Sequence, residues 1–89
     1  MVKYKKIYCD YFSYGEQDFI PCEACGGQIS DVHHIHGRLG DKVDDISNLI
    51  GLCRRHHEMA HFSKNHVTPE QFQLIHNYFL QGTRQKFLL

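Results

Sequence analysis

The sequence has no long hydrophobic run, and no stretch of it approaches the roughly 20 apolar residues that a membrane-spanning helix requires. Nor does it open with the charged, then apolar, then small-residue pattern of a secretory leader. Together these absences point to a reducing cytoplasm, where clustered Cys and His bind metal more often than they form disulfides. Neither sign of charge is in excess: ten Lys plus Arg stand against ten Asp plus Glu. Net charge alone therefore does not call for a nucleic-acid partner. No internal repeat, low-complexity tract or interdomain linker is visible, so residues 1–89 are expected to form one domain. A domain of this size buries only about 60% of its unfolded surface, which leaves little margin from apolar burial and calls for a staple.

What is abundant is histidine. Six of the eight, His33, His34, His36, His56, His57 and His61, fall between positions 33 and 61. Cys22 and Cys25 form a C-x-x-C half-site in "PCEACGG", and Cys53 and His56 form a matching C-x-x-H. Two such half-sites supply the four ligands of a closed tetrahedral zinc site. Cys9 is left over and reads as a small buried hydrophobe.

The element pattern is coarse. Residues 1–20 mix aromatics and lysines without a clean period, compatible with irregular strands or a short helix. "QISDVHHIHG", 28–37, is β-prone and stops at glycine, "GRLGDKVDD" is a loop, and "ISNLIGLC", 46–53, returns as a strand or packs as a turn. A helix is expected from Arg54 to about Phe62. Another should occupy about 69–81, with Thr68 as N-cap, Pro69 first, Gln71 closing a capping box and Gly82 as the stop. Its Phe72, Ile75 and Phe79, flanked by Leu74 and Tyr78, form an apolar face, whereas His66 and His76 read as surface or core-edge residues. "TRQKFLL" either frays or docks.

Helical geometry then divides the cluster. His56 and His57 are neighbours that point about 100° apart, too divergent to share one ion. Cys53 with His56 is an i,i+3 pair and His57 with His61 an i,i+4 pair, each on one face. The spacing thus predicts two sites: Cys22, Cys25, Cys53 and His56 in one, and His57 and His61 in another completed by His33 or His34. Three neutral imidazoles leave positions open for water and substrate, as in a catalytic rather than a structural site. They favour Zn²⁺, Ni²⁺, Mn²⁺ or Co²⁺ over Mg²⁺, although an open site with substrate oxygens accepts Mg²⁺ as well.

"DVHHI", the Asn of "SNLIGLC" and "HHEMAH" together resemble the HNH endonuclease family, in particular its zinc-stapled, restriction-like and phage-borne members. The resemblance covers about residues 21–62. It implies an α+β fold, a small ββα-metal domain with a structural zinc knuckle pair, to which the chain adds its C-terminal helix. It implies His33, His57 and His61 as ligands of the catalytic ion, His34 as general base and Asn48 as the central Asn that orients it through backbone hydrogen bonds. The implied activity is metal-dependent hydrolysis of DNA phosphodiester bonds, by nicking or double-strand cleavage, to 5′-phosphate and 3′-hydroxyl ends. The implied setting is the cytoplasm of a bacterial or phage-infected cell.

A tension accompanies that assignment. Adjacent His33 and His34 point to opposite faces of a regular strand, so either a kink or strong twist near Gly37 brings them together or His36 serves as the working base or an auxiliary substrate contact. Asp31 reads as a local hydrogen-bond acceptor. Arg38, Arg54 and Arg55, with Lys3, Lys5 and Lys6 as a basic arm and the helix N-terminus at Arg54, are candidates for gripping a DNA backbone with weak sequence preference. Cutting both strands would be easier for a homodimer. The alternatives are a non-catalytic zinc-binding DNA- or protein-interaction module, and the nuclease half of a larger phage or restriction assembly.

Overall fold

The structure is a computed structural model that describes residues 2–38, 40–61 and 66–82. It is α+β, with three helices around a two-stranded antiparallel sheet. The first segment resolves to a helix, α1, over Lys3–Phe12. No Gly or Pro interrupts it, and Tyr4, Ile7, Tyr8 and Phe12 recur at helical spacing and pack into one apolar cluster. It ends where Ser13 turns left-handed, at φ 60°.

The C-x-x-C segment folds as a knuckle, with the Gly26 amide donating to the Cys22 carbonyl at 2.8 Å and the Cys22 amide to Gly27 at 2.6 Å. Gly26 takes φ +81°, a conformation that L side chains rarely adopt. β1, Asp31–His34, then pairs with β2, Leu49–Leu52, in the register Asp31↔Leu52 to His34↔Leu49. Segment 46–53 is both of the things its composition allows: a 3₁₀ turn over Ile46–Asn48, capped by the Asp45 carboxylate, runs straight into β2.

α2 spans Arg54–Met59, shorter than the apolar pattern predicts. The amides of Ala60 and His61 bond back to His57 and Glu58, which tightens the last turn and ends the helix; Phe62 lies outside the described residues. α3, Pro69–Leu80, has both bonds of the capping box between Thr68 and Gln71, and Gly82 follows at φ +76°. Positions 83–89 lie outside the described residues.

β2 is buried on both faces, and its alternation divides the core. Ile50 and Leu52 join Cys22, Val67, Phe72 and Ile75 on the α3 side, while Leu49 joins Tyr8 and Val32 on the α1 side. Two expectations for α3 need correction. Leu74 is 52% exposed and contributes nothing to the apolar face, whereas His76 is fully buried. His76 is held there by a polar network. Its Nδ1 lies 2.7 Å from Glu23 Oε1 and its Nε2 lies 2.6 Å from the Ile46 carbonyl. Tyr8 Oη and the Gly51 amide donate to the other oxygen of Glu23, at 2.6 and 3.2 Å. Because a carbonyl only accepts, His76 Nε2 must carry a proton. One further proton is shared between Nδ1 and the carboxylate. Burial first, then the charge of Glu23, pushes the Tyr8 phenol far above its ordinary range, so it serves as a permanent donor.

Gly51 is the point where this network crosses the sheet. A Cβ there would lie 2.7 Å from Tyr8 Oη and 2.8 Å from Ile29 Cδ1. Gly51→Ala is therefore expected to lower stability by about 1–3 kcal/mol through overpacking, read as a drop in the midpoint of thermal or urea denaturation. An unchanged midpoint would mean that Tyr8 is not anchored at this strand.

Candidate metal centres

Two groups of potential ligands form, and they divide the Cys/His cluster as its spacing predicts. Within each group all the ligand atoms lie within 4.8 Å of one another. The first comprises Cys22 and Cys25 from the knuckle with Cys53 and His56 from the start of α2, and its four residues lie close enough to hold a metal ion. Sγ atoms of Cys25 and Cys53 are 3.8 Å apart, and His56 Nδ1 is 3.8 Å from Cys22 Sγ and 3.2 Å from Cys53 Sγ. A tetrahedron with arms of about 2.3 Å has edges of about 3.8 Å, so the thiols already stand at coordination spacing. All four cysteines of the chain are free, and Cys9, half-buried on α1, joins neither group.

Local electrostatics set Cys22 and Cys53 apart. Burial pushes the Cys22 thiol up to about 12. Burial opposes ionisation at Cys53 too, but hydrogen bonds from the His56 amide, the Cys25 and Cys22 thiols and the Arg55 amide outweigh it and hold that thiol below its ordinary value. Of the two thiols, Cys53 at the N-terminus of α2 is the one that ionises more readily. With only six residues, α2 has little dipole left for an external phosphate.

The second group is His33 from β1 with His57 from α2 and His61 from the turn that follows it. The Nε2 atoms of His57 and His61 are 3.4 Å apart, close to the edge expected for a tetrahedron with arms of about 2.0–2.1 Å. Ring centroids of the three lie 5.0–5.5 Å apart. Burial, then the neighbouring imidazoles His57, His61 and His34, lowers the pKa of His33 from 6.5 to about 4, and burial lowers that of His57 as well. Both keep a free lone pair at neutral pH.

His33 and His34 do diverge as the strand period demands: His33 meets α2 and the Phe72 ring, while His34 packs edge-on against Tyr4 of α1 at 4.6 Å. They nevertheless line one cleft of about 330 Å³, together with His57, His61, Tyr4, Asp31 and Arg38. The sheet has only two strands, and the cleft is lined by side chains from both faces of β1. His36 is elsewhere, in a separate cleft, with its Nε2 3.0 Å from Gln73 Oε1.

Asn48 is buried and binds only backbone. Its Oδ1 accepts from the His36 amide at 2.9 Å, and its Nδ2 donates to Val43 and Gly37 carbonyls at 2.9 and 3.2 Å. Asp31 accepts from the Val32 amide and pairs with Lys5 at 3.2 Å, as a local acceptor should. Lys6 is likewise paired, with Asp10, so two lysines of the basic arm already have partners. Arg38 lies over the Tyr4 ring at 5.3 Å, and Arg54 and Arg55 are exposed on the first turn of α2. Sequence inspection missed Tyr4 and Asp44 as partners of His34, the latter with its Oδ1 3.0 Å from His34 Nε2, and Glu23 as the partner of His76. None of the three stands in a recognisable spacing to what it touches.

No protein-family model, curated protein or solved structure matches the chain. No helix among the described residues is long and apolar enough to cross a membrane.

Cys22→Ser should cost the purified protein its bound cations together with its cooperative unfolding transition, measured by elemental analysis and circular dichroism, and a chelator should do the same to wild type. His57→Ala should lose a cation only from the second group and keep its fold. In the metal-free protein His33, His56 and His57 all have lowered folded-state pKa values, so the unfolded chain binds more protons between about pH 6.5 and 4. Their contribution is expected to be constant above about pH 6.5 and to decline toward pH 4. The decline should be shallower in His33→Gln, by denaturant titration at each pH.

Proposed function

We propose that the protein is a metal-dependent endonuclease of the HNH type, with a ββα-metal core and a structural zinc, that hydrolyses DNA phosphodiester bonds. The observation that carries this reading is the convergence of His33, His57 and His61 in a cleft that His34 and Arg38 also line, apart from the thiolate group. A purely structural finger has no use for three further imidazoles once Cys22, Cys25, Cys53 and His56 are in place.

The roles follow from the chemistry of each group. His34 takes the proton of the attacking water, Arg38 holds a phosphate oxygen at the mouth of the cleft, and Asn48 fixes the turn beside the base. A dication bound by His33, His57 and His61 supplies Lewis-acid stabilisation of the phosphoryl and departing 3′ oxygens. Imidazole-only ligation favours Zn²⁺, Ni²⁺, Mn²⁺ or Co²⁺, with Mg²⁺ acceptable once phosphate oxygens join. With Arg38, Arg54 and Arg55 touching backbone rather than bases, DNA is bound with weak sequence preference.

The test is nicking of supercoiled plasmid with each of these ions. Wild type should yield 5′-phosphate and 3′-hydroxyl ends, and His34→Ala should lose about 100-fold or more in rate with unchanged zinc content. Full activity in His34→Ala removes the base assignment. A fully metallated wild type that binds DNA and cuts none leaves a zinc-binding interaction module in its place.

A further inference from the structure

We infer that Asp44 is a positioning residue for His34: it selects the tautomer protonated at Nε2 and so makes Nδ1 the nitrogen that receives the proton of water. The tautomer assignment stands on geometry alone, while its catalytic meaning rests on the nuclease reading above. His34 Nε2 lies 3.0 Å from Asp44 Oδ1. A carboxylate only accepts, so the hydrogen of that bond belongs to Nε2, and a neutral imidazole then has its lone pair at Nδ1. The ring cannot readily turn to exchange the two, because it is 8% exposed and packed edge-on against Tyr4.

The backbone that carries the carboxylate is fixed on both sides. Val43, just before it, accepts from Asn48 Nδ2 at 2.9 Å. Asp45, just after it, caps the 3₁₀ turn with its side chain, donates its amide to Lys42 at 3.1 Å and accepts the Asn48 amide at 2.8 Å. Asn48 thus acts on His34 through Asp44, although it touches no atom of the imidazole. His34 lines the cleft of the three histidines and Asp44 does not. The negative charge thus lies outside the lining of the cleft, where it stabilises the imidazolium.

In the step itself one O–H bond of water breaks and its proton goes to His34 Nδ1. The oxygen bonds to phosphorus, the bond from phosphorus to the 3′ oxygen breaks, and that oxygen takes a proton from solvent. The imidazolium afterwards returns its proton to solvent.

Long-range ¹H–¹⁵N spectra of the zinc-loaded wild-type protein read the tautomer directly. Protonation of His34 at Nε2 is the expected result, and protonation at Nδ1 overturns the inference whether or not the protein cuts. In single-turnover nicking, Asp44→Ala should be about 10- to 100-fold slower at saturating DNA, with DNA affinity and zinc content unchanged. Asp44→Asn keeps the shape but offers an N–H donor beside the acceptor, so it no longer enforces the Nε2–H tautomer and should be at least as slow as the Ala variant; it also serves if the Ala variant does not fold. Wild-type rates in both variants overturn the inference. A wild type with the expected tautomer that nicks no DNA with any ion sinks the nuclease reading and the catalytic role with it, whereas an Nδ1–H tautomer in an actively nicking protein sinks the role of Asp44 alone.

Discussion

One buried carboxylate organises the domain. Glu23 sits inside the C-x-x-C knuckle and draws Tyr8 of α1, the Gly51 amide of β2 and His76 of α3 onto its two oxygens. Removing any one of these partners would leave a charge or a polar atom stranded in the core, which costs far more than an intact bond contributes. Among the described residues no buried side-chain nitrogen or oxygen is left without a partner, so the network is complete. Through it, the knuckle that presents Cys22 and Cys25 is locked to the sheet that presents His33 and His34. His76 adds a second tie, because its other nitrogen holds the turn from which Asn48 projects.

Legibility in the sequence tracked the range of the physics. Short-range spacing was readable: the capping box of α3, and the partition of Cys53, His56, His57 and His61 between two faces of α2, both depend on residues a turn apart. The glycines at 26 and 82 were readable as turn and stop for the same reason. His76 was misjudged because nothing near it in the chain announces Glu23, which lies 53 positions away. α2 came out short because its last amides bond i→i−3, a choice the apolar pattern does not register. α1 was ambiguous since its lysines blur a stripe whose periodicity only the packed neighbours make plain. Asp44 falls in a stretch that reads simply as a loop, and its value lies in facing a residue on another element.

The divergence of His33 and His34 also has a structural logic. A central strand would send the two imidazoles into separate halves of the core. In this two-stranded sheet the cleft collects side chains from both faces of β1. One wall comes from α2 and the other from α1, through Tyr4 and the Arg38 guanidinium above its ring.

Both candidate ion sites take ligands from the same six-residue helix and the turn that follows it. So short a helix has no stability of its own, because nucleating a turn costs more than a few backbone bonds return. Its winding is imposed by whatever grips Cys53 and His56, and that winding is what sets His57 above His61. Ions held at the two groups would therefore be coupled through that winding, each raising the affinity of the other by the same factor.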